Sequence, residues 1–470
     1  MKKPNIVFIL ADDLGPWALN CYGNQDMISP HIDKLAAEGM QFNNFFCTSP
    51  VCSPARASLL TGKIPSQHGI HDWICDENET QAEIEYLENQ IAYTDILAEH
   101  GYRCGLSGKW HVGKSSKVQK GFDHFFAHKS GGGPYYNAPF YRNGVFEVVE
   151  EYVTEAITKD ALDFIDESVA QNKPFYLSVG YTAPHSPWLN NHPKAYTDLY
   201  EDCEFTSIPK EARHPDSIYL TDEVNKDLKA NLIGYFAATT AMDQGVKDIM
   251  SRLEKHGIKE DTLVIFTADN GFSCGHNGFW GKGNGTFPIN MYDNSIKVPF
   301  IASHPGVIPQ NTQTNAMVSA YDFFPSILDY VGIKYELDDT YPGKSFKDVL
   351  LKQEKTQHQA VCIYDEYGPN RMIRTDRFKF IKRYPYGPDA LFDLKNDPQE
   401  QHNLIASYED LDSELVTSLR EELEAWFFKY VNPEIDGIHE AVYGSGQINK
   451  AGRWSKGKVS QNKPDFKINQ

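Results

Sequence analysis

The chain has 470 residues, 41% hydrophobic and 13% aromatic, which is enough for a large core and for more than one domain. Its formal net charge of -19 argues against nucleic acid or an anionic membrane as the main partner, and any anionic substrate must be met by cations concentrated locally against the global field. No apolar run is long enough to span a bilayer, and the eight scattered cysteines contain no CxxC pair, which excludes a zinc ribbon and reads as reduced thiols.

The first element is the apolar run Asn5 to Leu10, followed by Ala11-Asp12-Asp13-Leu14-Gly15, a buried strand entering a loop. The basic start Met1-Lys2-Lys3 before it resembles a signal peptide only superficially. The apolar part is too short and acidic residues follow, so the expected location is cytoplasmic. Ile32 to Gly39 reads as a helix with a glycine stop, and Leu97 to Gly101 ends another helix before a strand at Tyr102 to Ser107. Thr158 to Ala170 carries Ala161, Leu162, Ile165 and Val169 at helical spacing. Phe175 to Tyr181 is a strand leading into Thr182-Ala183-Pro184-His185, Leu228 to Leu253 a long helix, Leu263 to Thr267 a strand leading into Ala268-Asp269-Asn270-Gly271, and Val298 to Ala302 a further buried run. Strands alternating with helices predict an α/β domain with a large mixed, mostly parallel sheet between helices, over residues 1–355. Residues 356–470 predict a smaller domain of short antiparallel strands near Val361, Arg371 and Phe378, a helix from Asp410 to Tyr430, and an irregular tail anchored by Trp454.

In such sheets, chemistry collects at the C-terminal strand ends, and three polar clusters fall there: Asp12 with Asp13, His185, and Asp269 with Asn270. Three carboxylates and an amide oxygen suit a hard cation, Ca²⁺ before Mg²⁺ because calcium tolerates irregular coordination. Cys52-Ser53-Pro54-Ala55-Arg56 opens a short helix ended by Gly62, with Ser53 as its expected cap and residue 52 at a terminus that favours an anion. Ser107 to Gly113 supplies Lys109 and His111, expected to face the same side of an extended segment, and Gly281-Lys282-Gly283 adds a further cation. His71, Asp72 and Trp73, just past the helix, and His276 and Asn277, near the metal pair, are candidate sugar contacts, with Tyr135 and Tyr136 at the rim.

The pieces Asn5 to Gly15, Cys52 to Gly62, Gly108 to Gly113, Ala183 to Pro187, Thr267 to Gly271, and Lys282 with Val298-Pro299 resemble, in order, the type I, formylglycine-dependent sulfatases of the alkaline phosphatase superfamily. Ala55 stands where many members have serine, and the segment Gly283 to Lys297 is longer than the family's short link. The resemblance implies a sulfuric ester hydrolase acting on a sulfated carbohydrate or aryl sulfate. It also implies a maturation enzyme that oxidises Cys52 to formylglycine, and a cation held by Asp12, Asp13, residue 52, Asp269 and Asn270. It gives roles to Arg56 and Lys109 in steadying the nucleophile, His111 in proton removal, His185 as the acid for the leaving group and Lys282 on the sulfate. A phosphatase, phosphonate or phosphodiester hydrolase of the same superfamily is the alternative, and a glycan-binding protein with unmodified Cys52 a second one.

Overall fold

The computed structural model describes residues 3–76, 83–352, 362–405 and 414–464. Ten strands form one sheet: β1 (Asn5–Ala11), β2 (Met40–Phe46), β3 (Arg103–Gly108), β4 (His124–His128), β5 (Ala138–Arg142), β6 (Val145–Val149), β7 (Phe175–Gly180), β8 (Thr262–Ala268), and, after a two-stranded ribbon of β9 (Ser273–Cys274) and β10 (Trp280–Gly281), β11 (Lys297–Ser303) and β12 (Thr312–Ser319). Their order is β12-β2-β11-β8-β1-β7-β3-β4-β5-β6. The four central strands β8, β1, β7 and β3 are mutually parallel, and their residues are buried without alternation, as expected for strands covered on both faces.

Helices cover each face. Phe164 of the helix Val153–Ala170 lies against Gly105 on one side, where the long helix Leu228–Lys255 packs beside it. On the other side the Phe8 and Phe323 rings meet tilted with centroids 4.9 Å apart, and Tyr176 donates to or accepts from Tyr93, which places the helices Phe323–Tyr330 and Tyr93–Glu99 there. The predicted helices and strands of this part stand within a few residues of their expected bounds. The strands β2, β4, β5, β6 and β12 have no counterpart in the sequence reading; β4, β5 and β6 are short, and β5, β6 and the start of β12 are partly exposed.

A second sheet is an antiparallel meander of β13 (Ile363–Tyr367), β14 (Asn370–Arg374), β15 (Phe378–Arg383) and β16 (Ala390–Asp393), covered by the helix Glu414–Tyr430. The expected domain boundary at 355, the start of the first strand at Val361 and the helix start at Asp410 lie outside the described residues. The tail then returns to the first domain, with Gly69 against the Trp454 ring. Among the described residues no helix is long and apolar enough to cross a membrane.

Candidate active site

Four parallel neighbours deliver side chains to one edge. Asp12 and Asp13 leave β1, Asp269 and Asn270 leave β8, Lys109 leaves β3, and His185 follows β7. Backbone bonds continue the ladder past the strand ends: Asp12 N–H donates to Ala183 C=O (3.1 Å), Asp269 N–H to Ala11 C=O (3.1 Å) and Lys109 N–H to Gly180 C=O (2.7 Å). Two antiparallel pairings, β8 with β11 and β11 with β2, turn β2 into the same direction as β8. Its exit loop therefore brings the helix Cys52–Thr61 to the same edge.

That helix begins at Cys52, and Gly62 ends it in the left-handed conformation (φ 67°), as expected. Ser53 is not its cap. The cap residue is Val51, and the Ser53 hydroxyl instead accepts from Ile74 N–H (2.9 Å).

The side chains form one knot. Cys52 Sγ stands 3.3 Å from Asp12 Oδ1 and 3.9 Å from Asp13 Oδ1. Lys282 Nζ lies 2.7 Å from that sulfur and 2.5 Å from Asp13 Oδ1, so the longer Gly283 to Lys297 segment does not displace it from the site. Lys109 Nζ donates to Asp12 Oδ2 (2.6 Å), Arg56 Nε to Asp269 Oδ2 (2.8 Å) and Asn270 Nδ2 to Asp13 Oδ1 (2.8 Å). Asp13 itself is left-handed (φ 64°), a strained state for a residue with a Cβ. Tyr235 O–H, donating to its carbonyl (2.9 Å), and the Asp269 carboxylate, accepting from its N–H (3.3 Å), hold it there.

Burial sets the electrostatics. It pushes the Asp12 carboxyl and the Cys52 thiol above their usual ranges, against the pull of Lys109. Burial also opposes ionisation of Asp13 and Asp269, but Lys282 and His185 hold Asp13 below the usual range, and Arg56 and Lys109 do the same for Asp269. One ligand atom from each of Asp12, Asp13, Cys52 and Asp269 falls within a 4.8 Å group. Asn270 Oδ1 and Arg56 Nη2 are buried without a hydrogen-bond partner among the described residues. Three carboxylates with an orphaned amide oxygen fit a hard divalent cation, and an orphaned guanidinium arm beside them fits an anion.

The segment after β3 does not stay extended. Gly108 (φ 112°) and His111 (φ 54°) are left-handed, so strand alternation does not govern this stretch: Lys109 reaches Asp12, and His111 turns to Ile74. His111 Nε2–H donates to Ile74 C=O (3.0 Å), and burial holds the imidazole well below its usual pKa. His185 Nδ1–H donates to Ser186 C=O (2.7 Å), and its Nε2 lies 3.7 Å from Asp13 Oδ2 with a quarter of the side chain exposed. Three glycines roof these rings. A Cβ at Gly131 would stand 2.1 Å from His111, one at Gly132 3.0 Å from His185, and one at Gly133 3.3 Å from His128.

Most of the expected sugar contacts are placed elsewhere. His71 and Asp72 are fully buried. The Asp72 carboxylate accepts from Tyr367 O–H (2.6 Å), Trp73 N–H (2.9 Å) and Gly446 N–H (3.0 Å), and burial raises its pKa to about 6. Trp73 Nε1–H donates to Gly444 C=O (3.0 Å), and its ring packs beneath Gly446. His276 is buried with its ring 4.5 Å from Trp17, and Asn277 donates to Gln399 C=O (2.7 Å) at a cleft facing the second sheet. The polar groups of Asp72 and the Trp73 indole N–H are thus spent on the protein itself, while the Trp73 ring is only partly buried. Of the rim tyrosines, Tyr136 is exposed, and buried Tyr135 donates to His185 C=O (2.8 Å), which makes it a support for that histidine. The sequence reading missed His128, buried under Gly133 with a pKa lowered by burial to about 4, and, beyond the Trp454 anchor, the contributions of the tail.

Comparison with known proteins agrees with this geometry. Residues 4–333 match the family model "Sulfatase", and residues 285–427 match "N-sulphoglucosamine sulphohydrolase, C-terminal". An ulvan-active sulfatase of Formosa agariphila is 29% identical over 448 residues, covering 90% of this chain and 81% of the relative. An N-acetylglucosamine-6-O-sulfatase of Bacteroides thetaiotaomicron is 27% identical over 501 residues, covering 89% and 86%. The solved structure of BT4656 in complex with its substrate D-glucosamine-2-N,6-O-disulfate superposes with a TM-score of 0.78 at 25% identity, over 91% of this chain and 98% of that one.

Proposed function

The chain belongs to the sulfatase family, and on that premise we propose that it removes sulfate from a sulfated carbohydrate, with residue 52 oxidised to formylglycine as the nucleophile. One observation carries the reading: Lys282 Nζ touches both Cys52 Sγ and the Asp13 carboxylate inside a buried group of three carboxylates and three cations. An unmodified thiol suits this place poorly. Burial and Asp12 keep it protonated, and the neutral thiol is a weak nucleophile. Once oxidised and hydrated, residue 52 supplies two hydroxyls, one to attack sulfur and one whose deprotonation expels sulfate and restores the aldehyde.

A divalent cation, Ca²⁺ or Mg²⁺ in its place, would be held by Asp12, Asp13, Asp269, Asn270 and residue 52, and supplies Lewis-acid neutralisation of negative charge. Arg56 and Lys109 sit on the carboxylates that flank residue 52 and steady its oxygens. Lys282 replaces its contact to Asp13 with sulfate oxygens as charge builds on them. His185, whose Nε2 faces the Asp13 carboxylate at 3.7 Å, gives its Nε2 proton to the leaving sugar oxygen as the sulfur–oxygen bond breaks. His111 keeps Nδ1 free, because Nε2–H is committed to Ile74, and takes the proton of the remaining hydroxyl.

Support for a carbohydrate substrate comes from relatives named for sulfated glycans and sugars. The test has two arms. Peptide mass analysis of protein from its native host is expected to find CHO in place of CH₂SH at residue 52. A panel of sulfated monosaccharides, an aryl sulfate and a phosphonate ester, with calcium present and chelated, is expected to release sulfate only with calcium. An unaltered cysteine in active protein would remove the nucleophile assignment, and cleavage of the phosphonate alone would favour the sister activity.

A further inference from the structure

The tail residues 444–447 are bonded to the peptide 69–75 along its length. The Gln447 side-chain carbonyl accepts from His71 N–H (2.7 Å) and Asp72 N–H (3.3 Å), and its amide nitrogen donates to Gly69 C=O (2.9 Å). Its backbone bridges the same stretch, with Gln447 N–H donating to Trp73 C=O (2.7 Å) and Cys75 N–H to Gln447 C=O (2.8 Å). Gly446 N–H and Gly444 C=O close the contact on Asp72 and Trp73. Gln447 is itself fully buried.

The peptide so held touches the reaction at one residue. Ile74 N–H donates to Ser53, the neighbour of residue 52, and Ile74 C=O accepts from His111 Nε2–H. A carbonyl can only accept, so this bond puts a proton on Nε2, and burial, which disfavours the doubly protonated ring, leaves Nδ1 without one. That nitrogen is buried with no hydrogen-bond partner among the described residues.

We propose that Gln447 is a positioning residue for hydrolysis: by fixing the 71–75 peptide, it makes Ile74 hold His111 in the one tautomer whose Nδ1 can accept a proton. The proposal rests on the role given to His111 above, and its test separates the two. Native protein, Gln447→Ala, Gln447→Met, His111→Ala and the double variant His111→Ala/Gln447→Ala are assayed with 4-nitrophenyl sulfate, and the ¹⁵N-histidine spectra of the native protein and the two Gln447 variants are compared.

Losing the side-chain bonds is expected to lower kcat about tenfold in both Gln447 variants, with KM within about twofold. In the His111→Ala background, Gln447→Ala is expected to add less than about a twofold loss, because its path of action is already gone. The His111 signal is expected to change from a single Nε2–H tautomer to a mixture. Equal losses in both backgrounds, native kcat in Gln447→Met, or an unchanged His111 tautomer would each overturn the proposal. Gln447→Met keeps the side-chain volume, so a fold that tolerates it still gives the answer if Gln447→Ala does not fold. If native protein releases sulfate from neither the aryl sulfate nor any sulfated monosaccharide of the panel above, the sulfatase reading is what fails, and the tautomer still decides the positioning.

Discussion

Two buried ionic groups in this molecule contain the same inventory and do different work. At the sheet edge, Asp12, Asp13 and Asp269 meet Arg56, Lys109 and Lys282 around Cys52. Where the second sheet docks on the first domain, Asp293, Glu400 and Asp365 meet Arg374, Lys379 and Lys297. In the docking group the central acid is saturated. Asp293 receives both arms of Arg374 (3.1 and 2.9 Å) and the Lys379 ammonium (2.6 Å), which also reaches Glu400 (2.6 Å) and Met291 C=O (3.0 Å). At the edge, the carboxylates converge on a lone thiol, while an amide oxygen and a guanidinium arm lack partners among the described residues. A group built round one saturated acid fastens the second sheet to the first; one with the same charges whose orphaned amide oxygen and guanidinium arm stand beside converging carboxylates is prepared for ligands.

The sharpest way to break this comparison is to remove one charge from each group. Asp269→Asn removes one charge from the edge and is expected to cut sulfate release by at least about a hundredfold, measured on an aryl sulfate with excess calcium. Folding is expected to survive, because Arg56 keeps its Lys109 carbonyl bond (3.0 Å). Activity within tenfold of native would show that the edge carboxylates are structural. In the docking group, Lys379→Met leaves Asp293 and Glu400 short of a buried cation and is expected to cost roughly 3–5 kcal/mol of stability in a urea titration. The folded fraction is expected to keep its kcat within about twofold. A large loss of kcat with native stability would mean that the docking group reaches into the chemistry.

The edge group was legible in the sequence because each part of it is local. Strand ends followed by Asp-Asp, Asp-Asn or a histidine between prolines declare their place once the strands are read as parallel, and Gly62 marks the far end of the Cys52 helix. Ser53 looked like a cap because serine is one by default; a backbone donor 21 residues away took its hydroxyl. Asp72 and Trp73 looked like sugar contacts because they stand beside the nucleophile in the chain. What decides their role lies 295 residues off at Tyr367 and further still at Gly444 and Gly446. His128 carries no motif, and only the packing of Gly133 against it reveals its place. A tail rich in Gly, Lys, Ser and Asn has no periodicity, so its role cannot be read until its partners are known.

Asp365 gives the smallest and most discriminating prediction. Both its carboxylate oxygens are buried without a hydrogen-bond partner among the described residues, and burial raises its pKa well above the usual range despite Lys379. A raised acid binds more protons folded than unfolded, so its contribution to stability is fully present below the unfolded value near ~4 and is lost as pH rises through the folded value. Asp365→Asn is neutral at every pH and nearly isosteric. It is therefore expected to be more stable than the native chain at pH 8, with the difference vanishing towards pH 3, and to leave kcat unchanged. Urea midpoints across that range check it. A variant less stable at pH 8 would mean that Asp365 is ionised and paired, and the docking group would then be as saturated at its third acid as at Asp293.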